Sequence, residues 1–269
     1  MELLNSNSIA IVGSRQASEN GKKLTMKFAY ELSSIGLTIV SGLARGIDTS
    51  AHTYSYKQKG KTIAVLGCGF NKIFPPENLE LYKKILDNDG LIISEYSPNT
   101  EAYSSNFTDR NRIISGLSLG ILVIEAKSRS GTTSTANYAK KQKRPVFALP
   151  HEIDDPHGIG TNRLLKKGAT LVTNTPDILD KLKLSNYTEI YKNLKNSDNY
   201  NVIDTKKSIS PVFSNPKQTK LFKLINSNPV TPNDLARKTN YMINEIQNIL
   251  FILEMDGYIK KVPGGYVCI

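Results

Sequence analysis

Short apolar runs rich in β-branched residues alternate with amphipathic stretches along the chain up to residue 183. Such short runs are typical of buried strands, whereas an apolar stripe every three to four residues is typical of helices. The alternation predicts parallel βαβ units and therefore an α/β fold. The predicted strands are residues 9–12, 37–40, 62–66, 91–94, 121–124, 145–150 and 170–173. The predicted helices are residues 21–35, 47–58 and 78–86, a helix that follows Phe107, and residues 132–143 and 177–182.

The pattern changes after residue 183. Residues 184–215 are rich in Asn, Ser, Lys and Tyr and have little periodicity, which predicts a polar linker. Residues 216–269 contain three helical stripes, one opened by a capping signal at Thr231, and then two short β-like runs. This pattern predicts a small winged-helix-like domain. Its third helix has few basic residues, so a protein contact or a packing role fits it at least as well as DNA binding.

Glycine, serine or arginine lies at or shortly after the end of most of the predicted strands. In a parallel sheet the carboxyl ends of the strands lie along one edge, and open α/β sheets bind their ligands there. A tight turn between strand and helix explains any one of these glycines. Arginines also follow the strands or stand in the Phe107 stretch, and together they favour an anion-binding edge. These arginines are Arg15, Arg45, Arg110 and Arg129.

Residues 107–118 combine an aromatic ring, two arginines and an apolar run. Either Thr108 or Asp109 can cap the start of a helix there, and a helix N-terminus beside cations favours anions. Arg110 and Arg112 are two positions apart and so lie on nearly opposite sides of a helix, which means that one of them is expected to be structural. The alternative is a surface helix whose arginines pair with local carboxylates and whose aromatic ring packs on the entry turn.

The composition is that of a basic soluble protein. The chain has 269 residues, is 39% hydrophobic and contains no tryptophan. No apolar run approaches the roughly 20 residues that span a bilayer, and the first residues lack the layout of a secretory signal, so we expect a cytoplasmic protein. The formal charge of +11, from 35 basic and 24 acidic residues, favours binding to nucleic acid or another polyanion. A chain rich in Lys, Asn and Ile can also reach such a charge through compositional bias.

Other motifs are weak. The two cysteines support neither a disulfide framework nor a cysteine zinc site. No Walker A sequence is present, and Lys72 stands at the third glycine position of the dinucleotide-binding pattern that begins at Gly67. Residues 151–157 contain two histidines and three carboxylates, but a solvated loop is favoured over a metal site. Asp48 and His52 are four residues apart and can pair on one helix face, where a structural role is favoured over a catalytic one.

Ordered, closely spaced motifs across the predicted sheet strongly resemble those of the DprA/Smf family of bacterial DNA-processing proteins. These motifs are residues 9–15 (IAIVGSR), 41–52 (SGLARGIDTSAH), 62–69 (TIAVLGCG), 107–118 (FTDRNRIISGLS), 130–136 (SGTTSTA), 146–150 (VFALP) and 160–162 (GTN). The resemblance implies an extended Rossmann-like, doubly wound and mostly parallel sheet in residues 1–183. A linker over residues 184–215 and a small C-terminal winged-helix-like domain over residues 216–269 are expected to follow.

The same resemblance implies a function. It implies a non-catalytic, homodimeric protein that protects incoming single-stranded DNA and loads a RecA-type recombinase during natural transformation, with no cofactor, metal or membrane. Arg15 is similar to the family's phosphate-contacting arginine, and Phe107 to the ring on which a base stacks. The residues predicted to contact DNA are Gly13, Ser14, Arg15, Ser41, Gly42, Arg45, Phe107, Arg110, Asn111, Arg112, Arg129, Ser130 and Gly131.

Three features depart from the family pattern. Some relatives carry a basic residue shortly before the phenylalanine, where this chain has Ser104, Ser105 and Asn106, so we expect the affinity to depend more on Arg15, Arg45 and Arg129. His151 stands where relatives usually have a glycine. The first strand begins almost at once, so we expect the N-terminal helical domain of many members, and any partner contact within it, to be absent.

Two other functions stay open beside this one. The first is a small-nucleotide-binding or phosphoribohydrolase-type enzyme on a related fold, whose signature is only faintly echoed at residues 130–136 and lacks the catalytic glutamate. The second is sequence-specific regulation through the C-terminal tail. Retention of oligonucleotide binding by residues 1–183 alone, which we expect, would argue against it.

Overall fold

The computed structural model describes residues 2–128, 131–196, 215–226, 228–255 and 258–268. The chain divides into two compact units, Met1–Asn201 and Val202–Ile269. Within the described ranges, each helix is either too short or too polar to cross a membrane.

The first unit is built on a seven-stranded sheet in which every pairing is parallel. The strands are β1 (Ser8–Val12), β2 (Thr38–Ser41), β3 (Thr62–Val65), β4 (Leu91–Ile93), β5 (Gly120–Val123), β6 (Val146–Ala148) and β7 (Thr170–Leu171). Their order across the sheet is β4-β3-β2-β1-β5-β6-β7, so the strand order reverses between β1 and β5. This order confirms the predicted extended Rossmann-like, doubly wound sheet.

Helices connect and cover these strands. They are α1 (Glu19–Ser34), α2 (Ile47–Ser55), α3 (Leu79–Asp87), α4 (Ser104–Leu117), α5 (Thr132–Lys141), α6 (Ile159–Lys166), α7 (Thr175–Lys181) and α8 (Ser185–Lys195), with short 3-10 helices at Glu2–Asn5 and Pro76–Asn78. Most of the predicted helices are present with ends shifted by a few residues. The sequence pattern did not predict α6 or α8.

Alternate residues of β1 face the two sides of the sheet. Ile9 and Ile11 belong to one core cluster, with Phe28 and Leu32 of α1. Ala10 and Val12 belong to the other cluster, which includes Ile114 of α4 and Ala136 and Ala139 of α5. All five residues of β1 are buried, as expected for a parallel strand covered by helices on both faces.

The start of α4 differs from the prediction. The helix begins at Ser104 after an extended residue, Tyr103, and no side chain caps it. Thr108 and Asp109 lie within the helix, so the prediction that one of them is the N-cap is wrong. The Tyr96 hydroxyl donates a hydrogen bond to the Asn106 carbonyl at 3.3 Å, which holds the first turn on the rest of the unit.

The predicted linker is shorter than its composition indicates, because residues 185–195 form α8. Its Tyr191 is buried, and the Tyr191 hydroxyl donates to Oε2 of Glu31, a fully buried carboxylate on α1, at 3.2 Å. Lys195 Nζ lies 3.1 Å from Glu31 Oε1. Burial and the Glu31 carboxylate raise the pKa of Tyr191. The helix thus supplies hydrogen-bond donors to a charge in the core, and residues 197–214 of the predicted linker lie outside the described residues.

In the part that the structure describes, the second unit contains three helices followed by a two-stranded antiparallel hairpin, as predicted. These elements are α9 (Pro216–Phe222), α10 (Pro232–Thr239), α11 (Ile243–Met255), β8 (Ile259–Val262) and β9 (Gly265–Cys268). The predicted helix start at Thr231 is confirmed as a capping box, in which the Thr231 hydroxyl accepts from the Asp234 amide and the Asp234 carboxylate accepts from the Thr231 amide. Leu235, Ile246 and Leu250 lie in its core.

Candidate functional site

A pocket of about 570 Å³ opens at the carboxyl ends of β1 and β5, where the strand order reverses. This is the position at which open α/β sheets bind ligands. Its walls come from the loop after β1, the starts of α2 and α5, and α4. The lining residues are Val12, Gly13, Ser14, Arg15, Gln16, Ala44, Arg45, Asp48, Phe107, Arg110, Asn111, Ile114, Lys127, Gly131, Thr132 and Thr135.

Close backbone packing shapes the loop after β1. A Cβ on Gly13 would lie 2.5 Å from Cγ1 of Ile47, and a Cβ on Gly46, which has a φ of +75°, would lie 2.3 Å from the Ser14 carbonyl oxygen. The Ser14 hydroxyl donates to the Gln16 carbonyl at 2.9 Å and accepts from the Gln16 amide. Ser14 therefore fixes the turn and directs the exposed Arg15 side chain towards the mouth of the pocket.

Phe107 is half-buried at this mouth. The Arg15 guanidinium carbon lies over its ring, 5.3 Å from the ring centroid. The ring also packs closely on Gly67, where an added Cβ would lie 2.7 Å from Phe107 Cδ1. Phe74 lies 5.5 Å away between ring centroids. An aromatic surface and an exposed cation thus share one side of the pocket.

Arg110 forms part of the pocket wall from within the core. Its Nη1 donates to the Gly42 carbonyl at 2.8 Å and also to the Val65 carbonyl. Burial lowers the pKa of Arg110 to about 10, against the opposing effect of Asp48. Its Nε has no hydrogen-bond partner among the described residues. Arg110 is therefore the structural member of the arginine pair, whereas Arg112 points outward and pairs with Glu95.

Asp48 and His52 are both buried and support the loop after β2. The Gly42 amide donates to Asp48 Oδ2 at 3.1 Å, and burial raises the pKa of this carboxyl while Arg110 opposes the shift. The Leu43 amide donates to Nε2 of His52 at 3.3 Å. Burial and the charge of Arg110 lower the pKa of His52 to about 3, so the ring is neutral. Both residues thus hold the loop after β2, in keeping with the structural role that was favoured for them.

The wall opposite Arg15 and Phe107 is formed by the segment that follows β5 and by the start of α5. Asn111 Nδ2 donates to the Ser134 hydroxyl at 2.8 Å, which in turn donates to the Gly131 carbonyl at 2.7 Å. Gly131 is exposed, and no atom lies within 4 Å of the position of a Cβ there. Lys127 Nζ donates to Gln16 Oε1 at 2.8 Å, so a second cation stands across the mouth from Arg15.

Most of the predicted contact residues come together in this pocket. The structure gathers Gly13, Ser14, Arg15, Arg45, Phe107, Arg110, Asn111 and Gly131. Arg129 and Ser130 lie outside the described residues.

Three other predicted contacts are not part of the pocket wall formed by the described residues. Ser41 is fully buried, and its hydroxyl donates to the Ile11 carbonyl at 2.6 Å. Gly42 is enclosed, because a Cβ there would lie 2.6 Å from Arg110 Nη2 and 2.7 Å from Asp48 Oδ2. Arg112 is on the other side of α4. The sequence placed Ser41 and Gly42 correctly at a strand end but could not show that the Arg110 side chain packs on Gly42.

Sequence reasoning missed Gln16 and Lys127 as pocket residues. Lys127 follows β5 at the ligand edge, so its position after a predicted strand was a usable signal. Arg45 has a partner that the sequence did not indicate, because its guanidinium pairs with Glu77 and lies 5.7 Å from the centroid of the Phe74 ring.

The loop after β6 holds His151 inward. The His151 side chain is 5% exposed, and its Nδ1 and Nε2 lie 3.0 Å from Asp155 Oδ2 and 2.8 Å from the Ile124 carbonyl oxygen. The prediction of a solvated loop is therefore wrong for this side chain, although Glu152, Ile153 and Asp154 are exposed. In the described ranges, no group of three or more His, Cys, Asp or Glu residues is placed to hold a metal ion.

Comparison with known proteins decides the family. A family model described as DNA recombination-mediator protein A matches residues 1–183, and a model described as the DprA winged helix domain matches residues 210–265. The chain belongs to the DprA/Smf family. It is 38% identical to Protein Smf of Escherichia coli over 99% of this chain and 69% of that protein. It is 43% identical to DNA processing protein DprA of Streptococcus pneumoniae over 66% of this chain and 63% of that protein.

Solved DprA structures have the same fold. The X-ray structure of DprA from Streptococcus pneumoniae matches with a TM-score of 0.62 at 41% identity, over 66% of this chain and 62% of that one. A structure of DNA processing protein A from Helicobacter pylori matches with a TM-score of 0.63 at 33% identity, over 69% of this chain and 84% of that one. The Helicobacter pylori structure was described for its single-stranded-DNA-binding mode.

Proposed function

We propose that this DprA/Smf protein is a non-catalytic binder of single-stranded DNA that uses the pocket at the carboxyl edge of the sheet. The observation that carries the proposal is the position of Arg15 over the ring of Phe107, at the open mouth of a pocket of about 570 Å³. Arg15 can contact a phosphate there and the Phe107 ring can stack with a base, and the two side chains lie close enough to bind the same nucleotide.

The chemistry of the pocket suits a single strand better than a duplex. Stacking on an aromatic ring contributes about 1–3 kcal/mol per base and tolerates any base. Arg15 and Lys127 offer positive charge to the backbone, and α5 begins at the pocket wall, where the amides of a helix N-terminus favour an anion. A duplex keeps its base faces stacked inside, so the ring of Phe107 has nothing to stack on.

The buried histidine of α2 supports binding rather than catalysis. The Leu43 amide donates to Nε2 of His52, which is fully buried and is not among the described residues that line the pocket, and a pKa of about 3 keeps its ring uncharged near neutral pH. A general acid or base needs a pKa near the working pH and access to the reacting group. His52 meets neither condition.

The wider role that we propose is the one implied by the family. The protein would act in the cytoplasm as a homodimer, protect incoming single-stranded DNA and load a RecA-type recombinase on it during natural transformation. Family membership and the single-stranded-DNA-binding mode described for the Helicobacter pylori relative support this role. Loading is tested by asking whether the protein speeds recombinase assembly on single strands coated with single-strand-binding protein. Unchanged assembly would remove this part of the proposal.

The binding proposal is tested by the anisotropy of labelled oligonucleotides of equal length in single-stranded and duplex form, titrated at several salt concentrations. We expect tighter binding of the single strand, with a logarithm of affinity that falls linearly with the logarithm of the salt concentration, because salt competes with the protein for the phosphates. Equal affinity for the two forms would contradict the proposal. Release of free base from nucleoside monophosphates would favour the enzyme instead.

A further inference from the structure

A second, smaller hollow adjoins the pocket on the side of Phe107. Four residues line both depressions, and these are Arg15, Ala44, Arg45 and Phe107. The hollow adds Phe74 and Pro75, which precede the 3-10 helix Pro76–Asn78. The two depressions are therefore continuous, and a strand that occupies the pocket can extend into the hollow.

The hollow repeats the combination of ring and cation found at the mouth of the pocket. The guanidinium carbon of Arg45 lies 5.7 Å from the centroid of the Phe74 ring, much as that of Arg15 lies 5.3 Å from the centroid of the Phe107 ring. The two ring centroids are 5.5 Å apart. Consecutive bases are about 3.4 Å apart in a stacked strand and farther apart in an extended one, so the two rings suit successive bases.

The Phe74 ring is held in place by the core but is covered by a side chain that can move. Phe74 is half-buried and packs against a core cluster that includes Leu43, Leu66 and Leu81. The hollow has a volume of only about 20 Å³, too small for a base, while the Arg45 guanidinium lies over the ring. A base can stack on Phe74 once this guanidinium leaves.

Glu77 holds the Arg45 guanidinium in this position. Nε of Arg45 donates to Glu77 Oε1, and Nη2 of Arg45 donates to Glu77 Oε2 at 3.1 Å. Each of the two side chains is 52% exposed. Surface ion pairs contribute little to stability, so a phosphate can take the place of the carboxylate at low cost.

The ion pair is not needed to join the two segments that carry it. The buried Asn78 side chain donates from Nδ2 to the Leu43 carbonyl at 2.8 Å and to the Thr49 hydroxyl at 2.9 Å. These bonds already fix the 3-10 helix Pro76–Asn78 to the loop after β2 and to α2. An exposed ion pair beside an aromatic ring is therefore better explained by control of Arg45 than by stability.

We propose that the hollow is a second nucleotide subsite, in which the nucleotide next to the one on Phe107 stacks on Phe74 and its phosphate takes Arg45 from Glu77. Glu77 thus competes with DNA for Arg45 and keeps the Phe74 ring covered until a strand arrives. This inference rests on the proposed single-strand binding, and it gives Phe74 and Glu77 roles in that binding.

The first test removes the competing carboxylate from the full-length chain. Glu77→Gln should tighten the binding of an oligothymidylate of about 20 nucleotides by about threefold, as measured by anisotropy. The matched control is Glu80→Gln, which removes the same charge from an exposed carboxylate nearby that pairs with Lys83, and it should leave the affinity nearly unchanged. In an Arg45→Gln background, Glu77→Gln should tighten binding no more than Glu80→Gln does.

The second test separates the ring from the charge. Phe74→Leu keeps an apolar side chain against the core cluster but removes the ring, so it should weaken binding by about fivefold or more without changing the salt slope. Phe74→Tyr keeps a ring and should bind more tightly than Phe74→Leu. Arg45→Gln should weaken binding and reduce the salt slope by about 0.7, the value for one phosphate contact.

The outcomes separate this inference from the proposal beneath it. If Glu77→Gln binds no more tightly than Glu80→Gln, or if Phe74→Leu binds as tightly as the unmodified protein, the second subsite is refuted while stacking on Phe107 stands. If the unmodified protein does not bind the single strand, the proposed function fails and the inference fails with it.

Discussion

The guanidinium of Arg15 lies over the ring of Phe107, 5.3 Å from the ring centroid, and both side chains are within reach of solvent. An exposed cation–π contact of this kind is worth only about 0.5–1 kcal/mol, so a phosphate can draw the arginine away at little cost. The ring face that the arginine leaves then becomes available to the base of the same nucleotide.

Arg15→Ala should weaken single-stranded DNA binding by about tenfold or more and reduce the salt slope by about 0.7, the value for one phosphate contact. Arg15→Lys should bind less tightly than the unmodified protein but more tightly than Arg15→Ala, because an ammonium keeps the charge but not the planar guanidinium. Anisotropy titrations at several salt concentrations measure both quantities. Arg112→Ala is the matched control, since Arg112 pairs with Glu95 outside the pocket. An affinity as sensitive to Arg112 as to Arg15 would place the DNA elsewhere.

Arg110→Leu should destabilise the first unit by about 3 kcal/mol or more, because it leaves the buried Asp48 carboxyl group without the positive charge of Arg110. The substitution also removes the donor to the carbonyls of Gly42 and Val65. Urea denaturation at neutral pH measures the change. Arg112→Leu removes only a surface ion pair, worth about 0–1 kcal/mol, and serves as the comparison. Similar losses of stability for the two variants would show that Arg110 is not structural.

Because the folded state disfavours protonation of His52, the free energy of unfolding of the first unit should fall as the pH is lowered. Its pKa is lowered to about 3 in the folded state from an ordinary value of 6.5, so the unfolded state binds more protons between these two pH values. The contribution of the neutral His52 ring to the free energy of unfolding is fully present above pH 6.5. It is lost, by at most about 1.4 kcal/mol per pH unit, as the pH falls towards 3.

His52→Gln tests this dependence by urea denaturation at several pH values. The difference between its curve and that of the unmodified protein isolates His52 from Asp48, whose raised pKa acts in the opposite direction. If the free energies of unfolding of the two proteins change in parallel with pH, the His52 ring is not held neutral in the folded state.

Truncation should show that α8 belongs to the first unit. Residues 1–183 lack Tyr191 and Lys195, both of which contact the buried Glu31 carboxylate, so this fragment should melt at a lower temperature than residues 1–196. Both fragments should bind single strands below their melting temperatures, because the pocket is lined by residues between Val12 and Thr135. Equal melting temperatures would refute the role of α8, and loss of binding by residues 1–196 would assign it to the second unit.

The sheet was predictable because its strands are short, apolar and β-branched, and most of them end at or shortly before glycine, serine or arginine. α8 was not predictable from periodicity, since Asn, Ser and Lys fill many of its positions and its contribution to the core comes from Tyr191 reaching Glu31. The start of α4 was misplaced because Thr108 and Asp109 are good capping residues in isolation, whereas the helix already begins at Ser104.

The pocket was predictable only as a set of loops at one edge. Which arginine faces outward depends on packing that the sequence does not reveal, and Arg110 turns inward because the Gly42 and Val65 carbonyls need a donor. The same packing encloses Gly42, which sequence reasoning had grouped with Arg15.

Phe107→Trp gives the most direct test, because the chain has no other tryptophan and its emission therefore reports on this position alone. If a base stacks there, saturating single-stranded oligothymidylate should quench the emission, and a duplex of the same length at the same concentration should not. Anisotropy of the labelled oligonucleotide in the same samples establishes saturation. Unchanged emission on a fully bound single strand would contradict the account.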